Sequence, residues 1–175
     1  MTSSRTIKLL ALSLLVLLAG VLNGCDDDSF TGPDFSTVPP PWNIAEADTT
    51  IDRASGLTIH VLEEGTKLLP PVTQRDRVSI RYTGRTQDGT VFASSYANGS
   101  TFPVTFNNLT PTSIGNTPPL IEGFREGLIG MYEGEKRILV IPPEIGYGDS
   151  RRGTNGFDLR EDTLIYDVEL VRILD

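Results

Sequence analysis

"VSIRYTGRTQDGTVFASSY", residues 78–96, reads as two β-strands joined by a tight turn. Val78, Ile80 and Tyr82 alternate onto one face, the period-2 pattern of a half-buried strand. Asp88-Gly89 marks the turn into the next strand. The stretch is rich in aromatic residues, yet it offers no nucleophile, no acid–base pair and no metal ligand. Whether this chain is an enzyme turns on that contrast.

Outward from this hairpin the same alternation continues. Leu57, Ile59 and Val61 share one strand face in "GLTIHVLEEG", and His60 falls on the other, a surface position. Phe102, Val104 and Phe106 alternate in "TFPVTF"; "KRILVI" follows, and Leu164, Tyr166, Val168 and Leu170 are in register in "DTLIYDVELVRI". One segment breaks the period. "PPLIEGFREGLIGM" places Ile121, Phe124 and Leu128 at i, i+3 and i+7, a helical stripe, with Pro119 suited to its start. The pattern predicts an α+β domain, a twisted antiparallel sheet of about five strands with one short helix covering its buried face.

The 175 residues allow one domain with extensions, and 22% charged and 38% apolar residues are ordinary for a globular protein. A single cysteine and a single histidine argue against a disulfide framework, a Cys/His zinc site or a Cys–His dyad. Nothing calls for a metal or a cofactor.

The first 24 residues have the layout of an export signal: Arg5 and Lys8, an apolar run from Leu9 to Leu22, then Gly24 before Cys25. The run is short for a bilayer core, which takes roughly 20 residues. "LNGC" resembles a bacterial lipobox, in which the cysteine thiol receives a diacylglyceryl group and becomes the new N-terminus. That predicts lipidation of Cys25 and a place in the bacterial cell envelope, on the inner or the outer membrane; a plain cleaved signal or an uncleaved anchor is the alternative. Removing residues 1–24 takes away two positive charges, so 15 minus 23 (−8) becomes 13 minus 23 (−10). Such an acidic protein repels phosphate backbones, and no nucleic-acid partner is expected. Residues 25–48, with Asp26 to Asp28 and "SFTGPDFSTVPPPW", read as a flexible linker with a stiff, extended Pro39–Pro41. The domain is expected over residues 49–175.

"VSIRYTGRTQDGTVFASS", "LIEGFREGLIGMYEGEKRILVIPPEIGYG" and "DTLIYDVELV" resemble, in order, the successive signatures of the FKBP-type peptidyl-prolyl cis-trans isomerases. The resemblance runs from about Asp52 to the C-terminus. It implies a sheet half-wrapped around a short helix, with a shallow apolar pocket between them. It also answers the opening contrast. Rotation about an X–Pro bond breaks no covalent bond; its barrier of about 18–20 kcal/mol comes from lost amide resonance. A catalyst need only favour the twisted, less polar amide over the planar one, which an aromatic box does by desolvating the imide and gripping the proline ring.

Carried over by position, the resemblance implies that Tyr82, Phe92, Ile121, Phe124, Tyr147 and Tyr166 act in catalysis. The Ile121 backbone N–H would serve as a donor and Phe124 as the pocket floor. Leu120 and Phe106 would bind substrate; either Phe102 or Phe106 fits the last position, and Phe106 is preferred. The implied partners are proline-containing segments of exported proteins. The implied function is prolyl isomerisation that assists their folding; the alternative is an FKBP-like chaperone or peptide-binding module with little turnover.

Three departures stand out. Ala93 occupies the position where the family usually has Asp. Residues 107–118 form an insertion, expected as a surface loop near the pocket rim. The tip "SRRGTNGFDLRED" lacks the usual apolar–proline sequence, leaving Phe157 and Leu159 as its apolar candidates.

Overall fold

The structure is a computed structural model and describes residues 32–107, 109–110, 120–148 and 157–174. Its elements are β1 (Thr49–Asp52), β2 (Thr58–Glu63), β3 (Arg77–Thr86), β4 (Val91–Ser94), β5 (Val104–Phe106), helix α1 (Glu122–Leu128), β6 (Lys136–Ile141) and β7 (Leu164–Leu174). All pairings are antiparallel, in the order β1-β2-β6-β7-β3-β4, with β5 off this path and paired to β3. β4 pairs with Thr83–Arg85 and β5 with Val78–Ile80, so the two short strands share one edge of β3.

Among the described residues the sheet thus has seven strands, not about five. Thr49–Asp52 had no visible pattern because three of its four residues are exposed; its place comes from ladder bonds to β2. The alternating sets meet in one core: Leu57, Ile59 and Val61 of β2, Val78 and Ile80 of β3, and Leu164, Tyr166, Val168 and Leu170 of β7 are all buried. His60, half-buried on the other face, lies 2.9 Å from the Thr50 hydroxyl.

Helix α1 begins at Glu122, with Ile121 in extended backbone (φ −59°, ψ 147°) at its N-cap. Phe124 and Leu128 point into the core with Ile121. The helix lies directly on β6 because Gly123 and Gly127 face that strand; a Cβ at Gly123 would fall 2.5 Å from Ile141 Cγ2, and one at Gly127 would run into the Leu139 side chain. Arg137, buried on β6, donates to the Gly127 carbonyl (2.8 Å) and to Glu135 Oε1 (2.6 Å). It thereby satisfies a carbonyl at the helix C-terminus, where no helical partner exists. Glycine contact and guanidinium together set α1 against the sheet, and so place Phe124.

Pro119 and most of residues 107–118 lie outside the described residues. Leu109, within that segment, is fully buried and its N–H donates to the Gln74 carbonyl (3.1 Å), so there the segment is core and not surface. Leu159 is also buried, while Phe157 is half-buried.

Candidate active site

Between α1 and the inner face of β3, β4, β5 and β7 the sequence-predicted aromatic residues come together as one connected cluster. Phe124 and Tyr166 are closest, with ring centroids 4.7 Å apart. Tyr82 lies 5.7 Å from Phe124 and 6.1 Å from Phe106. Phe92 stands edge-on to Tyr166 at 5.6 Å and to Tyr147 at 6.5 Å. Edge and tilted packing of this kind is the preferred arrangement of quadrupolar rings. Leu120, half-buried, packs against the hydrophobic core, and Ile121 is buried at its helix end. Phe106, half-buried, belongs to the cluster, whereas Phe102 is 78% exposed.

Strand alternation puts these groups on one side. Tyr82 and Gly84 point inward on β3, and Gly84 pairs with Tyr166 of β7. Gly84 leaves the room that the rings occupy: a Cβ there would lie 2.6 Å from Tyr166 Cε1 and 2.8 Å from Phe92 Cζ. Opposite Gly84 on β4 sits Ala93, a methyl group where a carboxylate was the usual expectation.

The residues of the cluster carry no charge. Burial pushes the Tyr82 hydroxyl above the ordinary tyrosine range, with the nearby Tyr147 adding to the effect. Burial pushes Tyr166 far higher, helped by Tyr147, whose hydroxyl hydrogen-bonds with it. At neutral pH Tyr82 and Tyr166 are therefore neutral hydroxyls in a largely apolar surface. Such a surface can strip water from an imide and orient a carbonyl, and it cannot act as a nucleophile. Among the described residues no group of His, Cys, Asp and Glu could hold a metal ion. Cys25 lies outside the described residues.

The family model of "FKBP-type peptidyl-prolyl cis-trans isomerase" matches residues 70–171. This chain belongs to that family.

Among its relatives, the FK506-binding protein 2 of Yarrowia lipolytica is 38% identical over 135 residues, covering 74% of this chain and 84% of the relative. The Escherichia coli FKBP-type 22 kDa isomerase is 38% identical over 120 residues, 69% of this chain and 51% of that protein. Among solved structures, Escherichia coli FkpA is similar with a TM-score of 0.58 at 32% identity, covering 74% of this chain and 53% of FkpA. The chain spans about half of each Escherichia coli relative. The protein is an FKBP-type peptidyl-prolyl isomerase with an open, seven-stranded form of the fold.

Two features of this FKBP domain were missed in the sequence. One is the buried ion pair between Arg85 and Asp167, 2.5 Å apart on the outer face of the sheet. The other is the packing of residues 34–42 over it: Arg85 Nη2 donates to the Pro39 carbonyl (2.6 Å), and the Trp42 N–H donates to Asp167 Oδ2 (3.3 Å). Both charged residues sit at outward strand positions, where charge is ordinary. The one local hint of a cover is the apolar "PPPW" at residues 39–42, whose Trp42 reads either as packing on the domain edge or as exposed.

Proposed function

We propose that this isomerase acts on proline-containing segments of exported proteins, assisting their folding while held at a bacterial membrane through a lipidated Cys25. The observation that carries the catalytic part is the uncharged ring cluster joining Tyr82, Phe92, Phe106, Phe124, Tyr147 and Tyr166. The proline ring enters over Phe124, and the Ile121 N–H and the Tyr147 hydroxyl orient the flanking carbonyls. Desolvation then favours the twisted imide, whose charge separation is smaller than that of the planar one. Leu120 and Phe106 contact the residues beside the proline. Support for export and anchoring comes from the basic start, apolar run and "LNGC" of residues 1–25.

The full chain, solubilised in detergent, is expected to speed cis-to-trans conversion of short X–Pro peptides in a protease-coupled assay, with apolar X preferred. Labelled palmitate is expected to enter the chain and to be lost in Cys25→Ala; labelling that persists there excludes the anchor. Ala93 favours one second reading, a peptide-holding module with slow turnover, because it leaves the pocket without the carboxylate common in the family. Ala93→Asp separates the two. A rise in turnover or inhibitor affinity with the fold intact means that ligand positioning limits the wild type. Proline-peptide binding without detectable wild-type turnover selects the holding module.

A further inference from the structure

Residues 34–42 do more than cover an ion pair. At one end they are anchored to Arg85 and Asp167, as described. At the other they are tied to the loop that joins β4 to β5. The Asp34 N–H donates to Asn98 Oδ1 (2.9 Å), and the Asn98 N–H returns a bond to the Asp34 carbonyl (2.7 Å). The Thr37 hydroxyl donates to the Tyr96 carbonyl (3.2 Å). Asn98 is also the one non-glycine among the described residues with a left-handed backbone (φ 56°), a conformation that Asn tolerates better than most residues.

The loop so held is not remote from the pocket. Phe92 lies just before it and Phe106 just after it, and both rings belong to the aromatic cluster. Its first residue, Ser95, exchanges bonds with the Tyr82 backbone: Tyr82 N–H to Ser95 Oγ (3.0 Å) and Ser95 N–H to the Tyr82 carbonyl (2.9 Å). The exposed Phe102 sits on the same loop. A loop of this length without regular pairing is otherwise free to move on fast timescales.

We propose that the Asp34–Trp42 strap, anchored by Arg85 and Asp167, is a positioning element of the isomerase: it fixes the β4–β5 loop and thereby sets which residue before proline the pocket rim accepts. This inference rests on the isomerase reading of the pocket. Arg85 and Asp167 touch no substrate and act through the strap.

The test uses the full chain in two variants. Arg85→Met/Asp167→Leu removes both strap anchors without leaving a lone buried charge. Asn98→Gly keeps the left-handed backbone and removes only the side-chain tie to Asp34. Two quantities are read on each folded variant: amide hydrogen exchange over residues 96–106, and kcat/KM for peptides with Leu or Ala before proline. In the double variant the exchange is expected to quicken, and the Leu-over-Ala ratio to fall by about threefold or more. Asn98→Gly moves both the same way, by less. A strap that serves stability alone lowers the unfolding midpoint and leaves the ratio unchanged. That result overturns the proposal, as does unchanged exchange over 96–106 in both variants. If the double variant does not fold, Asn98→Gly decides alone. Wild-type turnover is measured alongside. Its absence sinks the isomerase reading, and with it the specificity role, and is distinct from a failed brace, in which turnover is present and the ratio does not move.

Discussion

On β3 and β7, successive residues face two different environments. Tyr82, Gly84, Tyr166 and Val168 face inward and help build an uncharged aromatic cluster; Arg81, Arg85, Asp167 and Glu169 face outward and build cross-strand ion pairs. The two outer pairs differ in turn. Arg81 and Glu169 are 3.3 Å apart with side chains 32% and 26% exposed, while Arg85 and Asp167 are 5% and 8% exposed beneath the strap. The inner face lowers the polarity around a ligand by containing no charge. The outer face buries two opposite charges only because each supplies the other's partner, since burial of an unpaired charge is strongly unfavourable. One alternation rule therefore yields the candidate site on one side and an anchor for a covering segment on the other.

The largest expected break in this comparison is Phe124→Ala. It empties the centre of the inner cluster and should cost about 3–5 kcal/mol of stability, with turnover lost beyond what unfolding explains. Denaturant titration read beside the peptide assay separates the two effects. On the outer face, Arg85→Met strands the Asp167 carboxylate under the strap and should cost about 3–5 kcal/mol. Arg81→Met, which breaks the half-exposed pair, should cost less than about 1 kcal/mol. Equal losses in the two variants would mean that the strap does not desolvate the Arg85–Asp167 pair.

Gly84→Ala sharpens the comparison from the pocket side. The added methyl collides with Tyr166 and Phe92, so about 1–3 kcal/mol of overpacking strain is expected, with turnover reduced as the rings shift. Tyr147→Phe removes one hydroxyl from the cluster and keeps its ring. A loss of about twofold to tenfold in kcat/KM, equivalent to about 0.5–1.5 kcal/mol, is expected, together with a lower unfolding midpoint because the buried Tyr166 hydroxyl loses a hydrogen-bond partner.

The smallest effect is one of pH. Burial holds the Asp167 carboxyl above the ordinary Asp range, against the opposing pull of Arg85 and the Trp42 N–H. A carboxyl whose folded pKa is raised binds its proton more tightly in the folded state, so it favours folding when protonated. That contribution is full below the unfolded pKa and is lost as pH rises through the raised folded value. The wild-type unfolding midpoint measured relative to that of Asp167→Asn should decline shallowly as pH rises just above the ordinary Asp range, since carboxyls held low, such as Asp34 and Asp88, contribute equally to both. Wild-type and Asp167→Asn midpoints that run parallel across this window would mean that Asp167 carries no such shift.

Much of the fold was legible because burial imposes a period. The inward sets of β2, β3 and β7 and the Ile121–Phe124–Leu128 stripe each repeat at the spacing of their element. The aromatic residues of the cluster were likewise named from position, since their order follows the family's motifs. β1 was not legible: its residues are mostly exposed, and its order comes from backbone pairing, which leaves no side-chain pattern. The choice between Phe102 and Phe106 was open because both lie on one face of an extended segment. In the structure the strand proper begins at Val104, which puts Phe106 among the rings and leaves Phe102 on the loop.

By itself the sequence determined the alternation, the helix that covers the sheet, the family and the set of rings, because each is written in local spacing or motif order. Only the tertiary structure decided how closely α1 approaches β6 across Gly123 and Gly127, and what covers the outer face. Arg85 and Asp167 are 82 residues apart in the chain, and Asp34 and Asn98 are 64 apart. An outward charged residue has the same local signature whether water or a strap lies above it. What separates the two is the burial supplied by a distant segment, and no local period records that.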